Sequence, residues 1–78
     1  MESLKDLGDH IKKRRKSLRI TQGALSQLSG TSLRSLKDVE NGLGNPTWNQ
    51  MQKIFKVLGW EFALRNASYE KPKSESFN

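Results

Sequence analysis

Leu4, Leu7, Ile11 and Leu18 recur at helical spacing near the start of the chain, while Lys12, Lys13 and Lys16 point elsewhere. Apolar residues every three to four positions mark an amphipathic helix, here over roughly residues 3–17. Arg14 falls at the edge of the apolar stripe, so its stem is expected along the core with its head in solvent. Thr21 follows as a cap, since a threonine oxygen accepts a free amide at a helix start. Ala24, Leu25 and Leu28 then share a face, and Gly30 suits the left-handed residue that ends such a helix. Ser32 caps a third segment in which Leu36 and Val39 face inward, with Leu33 possible beside them, and Asn41-Gly42 stops it. After the loop of Leu43, Gly44, Asn45 and Pro46, Thr47 and Gln50 have the spacing of a capping box. Trp48, Met51, Ile54, Phe55 and Leu58 line one face of a fourth helix that ends at Gly59.

The period then changes to two. Trp60, Phe62 and Leu64 alternate with Glu61, Ala63 and Arg65, which predicts a strand over about residues 60–65. No second strand pattern exists for it to pair with, and a lone strand has no stability. Pairing with the same strand of a second copy resolves this; the alternative is an extended tail on the core of one chain. Residues 66–78 are polar, without period, and read as a disordered tail. The expected fold class is therefore all-α. It is a compact four-helix domain over residues 1–65, with one C-terminal β-strand pairing across a homodimer.

Composition narrows the chemistry. The 78-residue chain has no cysteine and a single histidine, His10, which excludes disulfides and thiolate sites and leaves no metal cluster. A domain this small needs help from packing or from a partner subunit. Net charge is +6 with a pI near 10. The excess is localised: residues 1–20 hold seven basic and three acidic residues, and residues 43–65 hold three basic and one acidic. A localised basic face suits a polyanion, although a modest excess also fits an ordinary solvated surface. No apolar run reaches the roughly 18 residues of a membrane span, and the charged N-terminus has no signal core. The chain reads as soluble and intracellular. Nothing resembles a catalytic site: there is no nucleotide loop and no cysteine nucleophile, and His10 stands in the first helix among lysines, without an orienting acid in an evident pocket. No cofactor is expected.

Two short helices joined at a glycine, after a basic helix, suggest a helix-turn-helix, whose second helix enters the major groove of DNA. Ser26 fits, because a small side chain lets the two helices cross closely. The chain resembles the Cro/repressor-type helix-turn-helix (XRE) family through LGDHIKKRRK, Thr21-Gln22, Leu25, Ser29-Gly30, TSLRSLKDVENG, the NPT segment and Leu58-Gly59, over about residues 7–65. Its length and the strand after the fourth helix are most similar to HipB-type antitoxins. That resemblance implies a dimer formed through Trp60, Phe62 and Leu64, a double-stranded operator ahead of its own operon, and a HipA-like kinase toxin held in check. A stand-alone phage or chromosomal repressor of the same fold is the alternative. A different class, a cationic protein docked on membrane through the first helix, would need the very leucines that the core requires.

Candidate roles follow from position. Ser32, Leu33, Arg34 and Ser35 open the third helix, where a recognition helix reaches base edges. Arg34 can donate a bidentate pair to guanine O6 and N7, and Lys37 can take guanine or phosphate. Leu33 departs from the polar residue usual there; it either touches a thymine methyl or packs inward. Thr21 and Gln22, at the start of the second helix, are phosphate candidates. So are Lys12 and Lys16 by charge, and Asn41 and Asn45 beside the loop, though Asn45 and Thr47 also fit as caps. Arg15 fits equally an ion pair with Glu40 or a DNA contact.

Overall fold

The structure is a computed structural model and describes residues 3–64. Four helices make up the fold: α1 (Leu4–Ser17), α2 (Gln22–Ser29), α3 (Leu33–Glu40) and α4 (Trp48–Val57). Each begins at a hydroxyl cap. Ser3, Thr21, Ser32 and Thr47 accept from the amides of Asp6, Ala24, Ser35 and Gln50, so each satisfies one orphan donor. The Thr47–Gln50 capping box is reciprocal, with the Thr47 amide donating to Gln50 Oε1 at 3.1 Å. Gly30 ends α2 in the left-handed region at φ 72°, which opens the short turn into α3.

Helices of eight residues are marginal alone. They persist here because Ile11, Leu25, Leu36, Val39, Met51, Ile54 and Leu58 form one buried core to which all four segments contribute. α1 packs on α3, and α2 packs on both α3 and α4. The α1–α3 approach is close because Gly8 has no side chain. A Cβ there would collide with the Val39 carbonyl oxygen and lie 2.6 Å from that of Glu40.

Several expectations need correction. Leu28 does not join the inner face of α2; it is 64% exposed, and the buried arc is Leu25, Ser26 and Ser29. The Ser26 hydroxyl donates to the Thr31 carbonyl, so it ties the turn as well as leaving room for the crossing. Leu18 and Trp48, both read as core-facing, are exposed. Leu33 is 41% exposed and belongs neither to the core nor to the residues packed against it, so inward packing is ruled out. Arg14 lies at the core edge, but its head is not simply in solvent: its Nε donates to the Leu58 carbonyl at 3.0 Å.

Residues 60–64 carry no regular secondary structure in the single chain, where a strand would have nothing to pair with. Their apolar row is not idle. The Trp60 ring meets Phe55 edge-on with centroids 5.1 Å apart, and Phe62 stacks on Phe55 at 4.7 Å and meets Trp48 at 4.1 Å. Leu64 is 98% exposed. This is the packing of an extended tail on the core of one chain as far as Phe62, and not beyond. Arg65 and the expected polar tail lie outside the described residues.

Candidate nucleic-acid interface

α3 is divided by burial. Leu36, Val39 and Glu40 face inward, while Leu33, Arg34 and Lys37 stand in solvent. No hydrogen bond or ion pair among the described residues engages the side chain of Arg34 or Lys37. The hydroxyls beside them bond to each other: Ser32 Oγ accepts the Ser35 amide at 3.1 Å and donates to Ser35 Oγ at 2.9 Å, while the Ser35 hydroxyl keeps its own donor. Ser32 and Ser35 thus hold the tip of the helix, and Leu33, Arg34 and Lys37 remain as its outward groups.

The inner end of α3 is fixed by charge. Arg15 forks onto Glu40, with Nε to Oε2 at 2.7 Å and Nη2 to Oε1 at 3.1 Å, and its Nη1 donates to the Ile20 carbonyl at 2.9 Å. Glu40 is fully buried. Gln22 Nε2 adds a third donor to Glu40 Oε1, at 3.0 Å. One carboxylate therefore joins α1, the start of α2 and the end of α3. Of the two roles open to Arg15, the structure gives the ion pair. Gln22 was expected to spend its side-chain amide on phosphate; that amide is engaged with Glu40. The first backbone amides of α2 stay without intrahelical acceptors, so the Thr21–Gln22 end keeps donors for an anion.

The remaining candidates are spread around this helix. Asn41 is the C-cap of α3, its backbone amide bonded to the Lys37 and Asp38 carbonyls and its side chain exposed. Asn45 is exposed in the following loop, at the rim of a small hollow also lined by Ser35, Asp38 and Gln50. Thr47 serves as a cap. On α1, Lys16 is exposed and Lys12 half-buried, and neither is engaged in a hydrogen bond or ion pair among the described residues. Asp9 is already neutralised by Lys5 at 2.8 Å, whose hydrogen bond holds the carboxyl below its usual range.

Two features escaped the sequence. Asp38, half-buried, stands one turn after Arg34 and so shares its side of the helix. Its side chain lies against the following loop at Gly44, beside the hollow that Asn45 rims. The second is an apolar groove of about 620 Å³ between α1 and α4, lined among others by Leu4, Leu7, Trp48, Phe55 and Phe62, with His10 at its side. No group of residues that could hold a metal ion occurs among the described residues.

A basic helix followed by two short crossed helices, the second presenting exposed cations, is the geometry of DNA recognition. A family model described as Helix-turn-helix matches residues 11–63. The chain belongs to this helix-turn-helix family. It is the Cro/repressor-type (XRE) family, which regulates transcription by binding DNA and is not a family of enzymes. A solved structure described as "MDT Protein" is similar, at 25% identity and a TM-score of 0.76, over 87% of this chain and 96% of the other. No curated protein matches. No helix among the described residues is long and apolar enough to cross a membrane.

Proposed function

We propose that this helix-turn-helix protein is a sequence-specific repressor that binds a palindromic operator as a homodimer at the bacterial nucleoid. It acts as the antitoxin and autorepressor of an operon encoding a HipA-like kinase toxin. The carrying observation is that α3 offers Arg34 and Lys37 outward, without partners among the described residues, while the Arg15–Glu40 pair and Leu36 hold its inner side. Phosphate contacts from Thr21, Lys12, Lys16, Asn41 and Asn45 set the register on the duplex, and Gln22 acts by fixing Glu40. Supporting dimerisation, Trp60 and Phe62 border an apolar groove, and Leu64 beyond them lies almost wholly in solvent.

The test is footprinting on DNA from upstream of its own gene. A protected inverted repeat with a steep salt dependence is expected; protection that ignores sequence would reject the reading. Co-purification of a kinase encoded next door distinguishes the antitoxin from the stand-alone repressor, which would show the same footprint with no such partner.

A further inference from the structure

The first residue of the recognition helix is a leucine, and it is solvent-exposed. Exposed leucines are common and mean little singly. Leu33 differs in where it stands. It occupies the tip of α3, immediately before Arg34, and it contributes nothing to the core. The polar groups on either side are bound to each other, because Ser32 Oγ and Ser35 Oγ are 2.9 Å apart. The two long side chains that the tip offers to DNA are therefore one cation and one branched alkyl group. A leucine makes no hydrogen bond to a base edge. The one apolar group a base pair presents in the major groove is the C5 methyl of thymine, and 5-methylcytosine carries the same group.

We infer that Leu33 is a methyl reader that packs on the C5 methyl of a pyrimidine neighbouring the guanine taken by Arg34. The inference rests on the DNA-binding reading above and names what its recognition helix selects. Adjacent residues at a helix tip reach adjacent base pairs, so each half-site contains a 5-methylpyrimidine beside guanine. Discrimination comes from apolar area: a site with uracil or unmethylated cytosine leaves the leucine facing a gap or water. One methyl group buried corresponds to about a fourfold change in affinity.

The experiment selects sites for the full chain from random duplexes, then replaces each thymine of the enriched site in turn by uracil, cytosine or 5-methylcytosine. One position per half-site should lose about fourfold with uracil and at least as much with cytosine, and 5-methylcytosine should recover most of the cytosine loss. Leu33→Ala should abolish the difference between thymine and uracil there, with its helical circular dichroism unchanged. The base analogues act on the unaltered protein, so they decide the matter even if that variant folds poorly. An enriched site that binds uracil and thymine equally at every position overturns the methyl reading alone, and is also the result expected if Leu33 serves a protein partner. Failure to enrich any sequence overturns the DNA-binding reading, and this one with it.

Discussion

Arg15 and Glu40 are 25 positions apart and meet in a buried, two-pronged ion pair, 2.7 Å at its shorter contact. The pair is the joint between the basic helix and the recognition helix. Gln22 and the Ile20 carbonyl complete it, so both partners have their hydrogen-bonding capacity largely met. Removing one partner strands the other charge in the interior, which typically costs about 3–5 kcal/mol. Glu40→Ala and Arg15→Ala should each lower the unfolding free energy by such an amount, read as a fall in the urea midpoint at unchanged m. An Arg15→Met, Glu40→Leu double variant should recover much of the loss while leaving α3 less well oriented. Chemical denaturation with a DNA-shift assay at matched folded fraction checks both parts.

Gly8 makes the second α1–α3 contact. Alanine is the better helix former by up to about 1 kcal/mol. At this position the added Cβ runs into the carbonyls of Val39 and Glu40, which are backbone and cannot swing away. Gly8→Ala should therefore destabilise by roughly 1–3 kcal/mol despite the propensity gain. A raised melting temperature would show that α1 slides at no cost.

Thr31, between the two short helices, is 4% exposed, and its hydroxyl has no hydrogen-bond partner among the described residues. A buried hydroxyl left unmade costs on the order of 1 kcal/mol or more. Thr31→Val keeps the shape and removes the unsatisfied group, so stability should be unchanged or higher by about 1 kcal/mol. A clear loss in thermal melting would mean that the hydroxyl is bonded in solution.

Much of the fold was legible because caps and period are local. Thr21, Ser32 and Thr47 announced three helix starts, and Gly30 announced the turn between α2 and α3. Leu28 misled because it is three residues from Leu25, and hydropathy favours it over serine. The inner arc of α2 contains Ser26 and Ser29, since a close crossing needs small side chains more than apolar ones. A single strip of sequence does not reveal which neighbour comes close, so Gly8 and the Gln22–Glu40 bond stayed hidden. The Arg15–Glu40 pair was an open choice for the same reason. The outward residues of α3 were legible, because Leu36 and Val39 fix the inner side and everything opposite is exposed.

Arg34 and Lys16 should separate base reading from backbone attraction. Arg34→Ala is expected to weaken the operator by about 1–3 kcal/mol and to relax preference at one base pair per half-site. Lys16→Ala, removing an exposed cation of α1, should weaken specific and random DNA alike and reduce the salt slope by about one unit. Equal losses on both DNAs for Arg34→Ala would make that residue a phosphate contact. An unchanged slope for Lys16→Ala would return the lysine to plain solvent.

The segment after α4 decides how two recognition helices are spaced. Trp60 and Phe62 rest on α4 within one chain, so their burial does not itself require a partner. The Trp60 amide is bonded to the Phe55 carbonyl at 2.9 Å; what the described residues leave open is the backbone of residues 61–64 and the side chain of Leu64. An antiparallel ribbon with a second copy would satisfy that backbone and set half-sites about 34 Å, or a multiple, apart. In such a ribbon only alternate residues direct their amides to the partner strand, so proline at 62 or at 63 breaks the ladder, but not at both. Phe62→Pro also removes the ring that stacks on Phe55 and Trp48, whereas Ala63→Pro touches no ring contact. One of the two should yield a folded monomer that binds any DNA weakly and salt-sensitively, and Phe62→Leu should remain a dimer. Sedimentation at micromolar concentration reads this directly. A monomeric wild type, or dimers in both proline variants, would remove the strand from the dimer and leave Trp60 and Phe62 as parts of the monomer core.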